Sequence, residues 1–529
     1  MSEIYSYHTF ILPFIWNVEG ISSRDVNAFP KCFENNPNWI STNLEEAHRI
    51  GDNGNIISDE DASLLYAEYQ YFNPAARNAI YGFDSEIVHN YCFNPKFVRN
   101  KGRYIIEKKG IKYVLMVNAI RLKIYNTGVA LFILECENLS SPEFAYQNNM
   151  SAVKNINDYG RRISLPFIPE DPDISVCADS LTLEIDGVGS FTENMRSFIE
   201  ATRKKKDIFD KVSLTHMSDF VKKILEYGGD YSFSSNYSKA LQNKKTFYIY
   251  PALDDRMFTF CVVCNGEAVA HYTRTAKNGK YMFETDDNMS MDLYEFAFVD
   301  PAGECSCRDF KMRSDLLEKH IYRRWLSYGT LFTVVNHSFM TVSSFKPTCN
   351  SALTQYFQIC CLSLAQRASI INFQREATAL SRTIEKQGKT IRVKLITRIL
   401  DLQERFIAFQ NQLCFTEISS QEQAIDLYAM IKKAFFIEKE SDALANHLEN
   451  LYNAANTNID FSLNKYGTAI AILAILMSLI SFCADFSGFT SLFIKDGLKG
   501  LPLLWAILGF GCVAAALASL SLLIYKRRK

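Results

Sequence analysis

The chain is predicted to be an α+β protein. An α/β-type domain comes first, followed by a long helical stalk and two C-terminal transmembrane helices. Three observations predict this. Residues 1–350 hold many short β-branched or aromatic runs punctuated by turn signals. From Leu353 to Phe415 there is no proline and one glycine, and the apolar spacing becomes helical. Two uncharged apolar runs, Tyr466–Ala484 and Leu501–Tyr525, then close the chain, each able to cross a hydrocarbon core of roughly 30 Å.

Taken in order, a strand is expected at Tyr5–Trp16 and partly helical structure over 40–70, where Glu45, Glu46, Asp59, Glu60 and Asp61 cluster. Four strand-like runs follow: Tyr104–Glu107, Lys112–Asn118, Arg121–Tyr125 and Val129–Glu135, divided by Lys109-Gly110 and Asn126-Thr127-Gly128. Further strands are expected at Leu181–Ile185, Thr246–Tyr250, Thr259–Val263, Ala268–Thr273 and Tyr294–Val299. Helices are expected at Thr192–Arg203 and Ser218–Tyr227. Gly388 divides the helical region into Leu353–Lys386 and Thr390–Phe415. Ser419 or Ser420 can cap the next helix, and no proline or glycine follows until Gly467. A helix running unbroken from Ser420 through the first apolar run would span on the order of 100 Å.

Composition excludes several function classes. With 57 basic and 58 acidic residues the net charge is −1, which offers no electrostatic basis for bulk nucleic-acid binding. The 14 cysteines form no disulfide-like framework, and several sit in apolar runs. Cys261 and Cys264 form C-x-x-C and Cys305 and Cys307 form C-x-C. Cys264-Asn265-Gly266, however, suggests a strand entering a hairpin turn, which points the first two cysteines to opposite faces and argues against zinc. Glu3 and Pro13 argue against a signal peptide. No P-loop, G-x-S-x-G, H-E-x-x-H or dinucleotide fingerprint is present, so no enzyme activity is expected. His320 and His337 suggest structural roles, and Arg203-Lys204-Lys205-Lys206 a solvated helix end.

A stripe at alternating steps of four and three runs from Asn446 through Asn450, Asn453, Thr457, Asp460, Asn464, Gly467, Ala471, Ala474, Ser478 and Ser481 to Asp485. Every member is polar or small, while Leu444, Leu448, Leu473 and Leu476 flank it. Such a face either lines a pore or packs against neighbouring helices, and its length favours the pore. The expected pore-lining set is Asn453, Thr457, Asp460, Asn464, Gly467, Ala471, Ala474, Ser478, Ser481 and Asp485. Lys465 and the tail Lys526-Arg527-Arg528-Lys529 place the N-terminal domain and C-terminus in the cytoplasm by the positive-inside rule. The predicted division is a cytoplasmic ligand-sensing domain at 1–350, connecting helices at 351–415 and the cytoplasmic stalk at 416–465. A first transmembrane helix at 466–485, an outer loop at 486–500, a second transmembrane helix at 501–525 and a basic tail at 526–529 complete it.

That plan resembles the CorA superfamily of membrane proteins. The resemblance implies a homo-oligomeric, pentameric funnel in the inner (cell) membrane with the first span at the pore. The family's Gly-Met-Asn signature is missing: Phe482-Cys483-Ala484-Asp485-Phe486-Ser487-Gly488 stands there. Asp485 is then the candidate metal residue, a carboxylate ring for a divalent cation. The large N-terminal domain is similar to the CorA-like effectors associated with type III CRISPR systems. This implies a channel gated by a nucleotide second messenger, such as an adenosylmethionine–AMP conjugate, acting in antiviral defence. Two alternatives stay open: a divalent cation transporter with an altered filter, and a non-conducting membrane-anchored sensor.

Two basic–aromatic clusters supply chemistry for an adenine-containing anion. One holds Arg161 and Arg162 after Asp158-Tyr159-Gly160. The other holds Arg323, Arg324 and Trp325, with Tyr328 downstream. Guanidinium forks suit phosphate, and aromatic faces suit a base; surface salt bridging is the competing explanation of both. Arg77, in the turn Tyr71-Phe72-Asn73-Pro74-Ala75-Ala76-Arg77, is a third candidate.

Overall fold

The computed structural model describes residues 3–17, 28–42, 59–83, 87–165, 169–171, 175–197, 199, 217–234, 246–254, 256–387 and 393–493. The strands are β1 (Glu3–Asn17), β2 (Trp39–Ser41), β3 (Val88–Phe93), β4 (Gly102–Lys108), β5 (Ile111–Tyr125), β6 (Val129–Ser140) and β7 (Ser180–Ile185). They continue with β8 (Gly189–Asn194), β9 (Ser232–Ser234), β10 (Thr246–Pro251), β11 (Phe258–Val263), β12 (Ile321–Tyr322), β13 (Thr330–Val335) and β14 (Ser338–Ser343). The helices are α1 (Ala28–Glu34), α2 (Asp59–Tyr71), α3 (Pro74–Tyr81), α4 (Pro95–Val98), α5 (Met150–Arg161), α6 (Asp219–Glu226) and α7 (Gly266–Tyr272). After them come α8 (Asp287–Phe298), α9 (Phe310–His320), α10 (Lys346–Ser351), α11 (Phe357–Gln387), α12 (Val393–Leu413), α13 (Glu422–Ala434) and α14 (Ile437–Phe493).

The chain divides into two compact units. One comprises residues 1–378 and 401–448; the other comprises 379–400 and 449–529. The first unit is built on a 14-stranded mixed sheet with the principal order β12-β13-β14-β11-β1-β6-β5-β4-β7-β8. Three long strands, β1, β6 and β5, form its antiparallel centre. On its other side β1 changes partner along its length, pairing with β11 from Ser6 to Ile11 and with β10 from Phe14 to Asn17. Pro13 stands at that change of partner. A residue without an amide hydrogen is tolerated in a central strand at a place where the ladder is interrupted.

Period-2 alternation gives the central strands two different faces. One face carries Phe10, Leu12, Phe14, Ile120, Leu122, Phe132 and Leu134 into the main core, with α1, α5 and α6 residues. Phe29 stacks on Trp16 at 5.0 Å and meets Phe14, Phe33, Phe233 and Phe247 edge-on. Such a buried ring contributes roughly 2–3 kcal/mol by removal from water alone. A second core forms where α7, α8 and α9 cover the β11–β14 end, around Cys261, Tyr272, Phe296 and Met340.

Local chemistry accounts for the helix starts. Asn73 accepts from the Ala76 amide at 2.9 Å with Pro74 in the first turn, and Gly82 closes α3 at φ 70°. Asn149 and Asp309 cap α5 and α9 in the same way.

Several expectations are corrected. Ala268–Thr273 and Tyr294–Val299 are helical, within α7 and α8, not strands. Asn265 accepts from the Glu267 and Ala268 amides and so starts a helix instead of a hairpin. β11 and β14 are parallel, and parallel neighbours require a crossover. Residues 189–194 form a strand, so of the helix expected at Thr192–Arg203 the first three residues are strand while 195–197 and 199 are helical; 201–206 lie outside the described residues, as do 43–58. The two runs Lys112–Asn118 and Arg121–Tyr125 are one strand with a bulge.

The single helix expected from Ser420 is broken: α13 ends at Ala434 and α14 begins at Ile437, with Phe436 at φ 57°. α14 then runs on to Phe493, where an outer loop was expected from 486. The fold class with two C-terminal transmembrane helices is corrected as well. Among the described residues no helix is long and apolar enough to cross a membrane. Within 466–485 the described side chains end at Ser478. Residues 494–529, with the second apolar run and the basic tail, lie outside the described residues. The multi-pass inner-membrane localisation, the CorA-like funnel and the ion-channel reading all rested on those two spans and are corrected with them.

Candidate ligand-binding cavity

The second face of the central sheet is not uniform. Toward one end it carries Ile15 and Val129, which pack with Ala368 of α11. Toward the other end the same alternation brings up polar groups. Tyr7 of β1 lies opposite Glu137 of β6, and Thr9 opposite Glu135. On β5, Ala119 pairs with Glu135; on β3, Cys92 pairs with Arg121 and Asn90 with Lys123. These residues floor a cavity of about 340 Å³. Its walls are Leu64 and Glu68 of α2, Tyr81 of α3, Arg99, and a segment from Asn350 to Gln358. That segment includes a π-helical turn, Ala352–Tyr356, between α10 and α11. Single π turns inside helices frequently mark functional sites.

The β5 bulge makes the floor possible. The β5–β6 register shifts between Val117 and Ala119, leaving Asn118 as the extra residue. Tyr113, Leu115 and Val117 face the main core before it, and Ile120, Leu122 and Ile124 after it. Were the alternation to run unbroken through Asn118, Arg121 and Lys123 would point into that core.

The charges in the cavity are partly satisfied. Arg121 Nε donates to Glu135 Oε1 at 2.6 Å. Lys123 Nζ donates to the Ile80 carbonyl at 3.2 Å, and burial pulls its pKa down. Glu68 Oε1 accepts from the Tyr81 hydroxyl at 2.6 Å. Burial and then Glu135 push the Glu137 carboxyl up, while Arg99 opposes them. Burial, with Glu137 next, raises the Tyr7 phenol. Other groups lack protein partners. Asn90 Oδ1 and Gln358 Oε1 are buried acceptors with no hydrogen bond. Among the described residues, the Arg99 side chain makes no hydrogen bond or ion pair. A buried, unpaired polar atom costs about 1–3 kcal/mol, so the cavity is primed for a ligand that supplies donors to the amides and an anion to Arg99.

The residues singled out from sequence lie elsewhere. Arg161, in the last turn of α5, is buried; it donates to the Val299 carbonyl at 3.1 Å and pairs with Asp158 at 3.4 Å. Burial pulls its pKa down to about 10. Arg162 pairs with the same Asp158 at 2.8 Å. Arg323 pairs with Glu284 at 2.7 Å. Arg324 bonds Glu422 and Asp426 of α13, each at 2.7 Å, and Tyr322 also donates to Asp426. Trp325 and Tyr328 lie 5.8 Å apart and tilted, with Tyr328 largely exposed. The structure does not bring these six residues into the cavity. Arg77 donates to the Phe72 carbonyl at 2.8 Å, in α3 and not a turn. His320 and His337 donate ring N–H groups to local carbonyls, Val334 O at 2.5 Å and Phe298 O at 2.8 Å.

Of the expected pore-lining residues, Asn453, Gly467, Ala471, Ala474 and Ser478 are exposed on α14, with Ser478 Oγ bonded to the Ala474 carbonyl at 2.9 Å. The flanking Leu473 is 60% exposed, so burial does not separate stripe from flank. The side chains of Thr457, Asp460, Asn464, Ser481 and Asp485, the candidate metal residue, lie outside the described residues. Among the described residues, no group of three His, Cys, Asp or Glu is placed to hold a metal ion.

One buried constellation has the outline of a hydrolase site. Ser6 Oγ lies 2.9 Å from His8 Nε2, and His8 Nδ1 lies 2.6 Å from Asn157 Oδ1. Ser6 and His8 are fully buried and Asn157 is 1% exposed, so no substrate carbonyl can reach the hydroxyl. Ser6 also accepts from Asn138 at 3.2 Å. The arrangement ties β1, β6 and α5 together, and burial keeps His8 neutral.

The cavity residues escaped the sequence reading, although a signal was present. Arg121 and Lys123, and Glu135 and Glu137, alternate with apolar residues inside strands that are otherwise mostly apolar. Comparison with protein-family models, with curated proteins and with solved structures found no match to this chain.

Proposed function

We propose that this protein is a ligand sensor, not an enzyme, and that the cavity on the second face of the sheet takes an adenine-nucleotide-type ligand. The observation that carries the reading is a cavity whose buried amide acceptors, Asn90 Oδ1 and Gln358 Oε1, are unpaired and share its lining with Arg99. An exocyclic amine of a base satisfies the amides, and a phosphate satisfies the guanidinium. The volume of about 340 Å³ lies at the lower end of the range for small-molecule sites. It suits one nucleotide better than the adenosylmethionine–AMP conjugate that the CRISPR resemblance implies.

Titration calorimetry tests this with AMP, ATP, S-adenosylmethionine and the conjugate. AMP or ATP is expected to bind, with affinity reduced tenfold or more in Arg99→Ala and Gln358→Ala. Arg324→Ala, outside the cavity, should bind as the wild type does. Absence of heat with all four compounds, or undiminished binding by both cavity variants, overturns the reading.

A further inference from the structure

Asn90 stands on β3 directly opposite Lys123 of β5, and both line the cavity. The Asn90 carbonyl accepts from the Thr42 amide at 2.8 Å, just beyond β2, which fixes its backbone. α3 ends beside this pair. The last carbonyls of a helix have no partner within it. That of Ile80, one residue before the end of α3, takes two donors from the sheet: Asn90 Nδ2 at 3.2 Å and Lys123 Nζ at 3.2 Å. A carbonyl oxygen offers two lone pairs, so this one is filled. The Ile80 carbonyl thereby decides how the Asn90 amide is turned. The opposite orientation would set Oδ1 against the Ile80 oxygen, two acceptors in contact, and would forfeit a hydrogen bond. Asn90 therefore shows the cavity an acceptor alone, and that Oδ1 is buried without a partner. Gln358 of α11 differs. Its Oε1 is also buried and unpaired, but among the described residues nothing holds its Nε2, so its amide can present either atom.

We propose that Asn90 is the specificity-determining residue of the cavity, reading an amino purine and rejecting an oxo purine. The inference rests on the cavity taking a nucleotide, and it names the residue that chooses the base. The exocyclic amine of adenine donates to Asn90 Oδ1. Hypoxanthine and guanine carry a carbonyl oxygen at that place on the ring, so two acceptors would face each other and neither would be satisfied. A fixed, buried acceptor discriminates well because the wrong ligand leaves it unpaired after water has been expelled. Gln358, free to turn, adds affinity for both kinds of base and choice between neither.

The test titrates the full chain with AMP and with inosine monophosphate, whose ring carries an oxo group in place of the amine. Arg99 meets the same phosphate in both, so the ratio of the two affinities isolates the base. AMP should bind about 10–100-fold more tightly in the wild type. Asn90→Thr puts a strand-compatible hydroxyl there that can donate as well as accept, and should bring the two affinities together. Gln358→Ala should weaken both nucleotides and leave their ratio as it is in the wild type. Equal binding of AMP and inosine monophosphate by the wild type, or an undiminished preference for AMP in Asn90→Thr, overturns this proposal while leaving the cavity a nucleotide site. Absence of heat with both compounds overturns the nucleotide reading of the cavity, and this inference with it.

Discussion

His8 should make this protein acid-sensitive in a way that one substitution can isolate. The ring is fully buried between Ser6 and Asn157, and burial lowers its pKa from 6.5 to about 4, with the Asn157 hydrogen bond opposing. The folded pKa lies below the unfolded one, so the unfolded chain binds the extra proton. The stabilising contribution is therefore complete above about pH 6.5 and is lost as the pH falls toward 4. A difference of 2.5 units corresponds to about 3 kcal/mol once the pH is below both values, and to about 2 kcal/mol between pH 7 and pH 5. Urea unfolding followed by tryptophan fluorescence at pH 7 and pH 5 reads this out, since Trp16 and Trp39 lie in the main core. His8→Asn keeps an amide near Asn157 and removes the titration. The wild type should lose about 2 kcal/mol more than the variant over that interval. His337, lowered to about 3 by burial, titrates with the same sign but is present in both proteins and cancels. Equal losses in the two proteins would refute the argument.

Two further substitutions probe the sheet's two faces. Gly160→Ala should destabilise by about 1–3 kcal/mol in a urea titration, because the added methyl would meet Phe10 at 2.7 Å and Ile106 at 2.8 Å, both fully buried. The better helix propensity of alanine returns at most about 1 kcal/mol, so the clash decides the sign. Arg121→Met should cost about 3 kcal/mol by leaving Glu135 unpaired beneath the helices, and adding Glu135→Leu should recover most of it; additive losses in that cycle would show that the pair is not coupled.

Much of the sheet was legible because β1, β4, β6, β7, β10 and β11 announce themselves by β-branched or aromatic runs between turn residues. Helices α11 and α12 were legible from apolar spacing and from Gly388 between them. The failures have physical causes. Tyr294–Val299 is apolar but for Glu295, which is itself buried and paired with Lys154 at 2.6 Å, and so short a run has no detectable period. The break at Phe435–Phe436 carries neither glycine nor proline. It is held by tertiary contacts of Phe435 with Phe258 at 5.7 Å and with Arg367. The arginine clusters were visible as sequence, but their partners were not: Asp426 lies 102 positions from Arg324.

The cavity poses a different problem, because its residues are spread over β1, β3, β5, β6 and the α10–α11 segment. Charged side chains inside a central strand are ordinarily a folding liability, and a one-residue slip exchanges the two faces. In β5 the slip is built in. Up to Val117 the odd-numbered residues enter the main core; beyond Asn118 the even-numbered ones do. The bulge thus lets one strand keep an unbroken apolar row on one face while presenting Arg121 and Lys123 on the other. β6 needs no bulge, because its alternation already sends Phe132, Leu134 and Cys136 inward and Glu135 and Glu137 outward. Core and cavity are therefore two faces of the same three strands. A ligand that pulls on Glu137 or Lys123 pulls on the strands that hold Phe132 and Leu122, and a packed core of that density does not deform without cost.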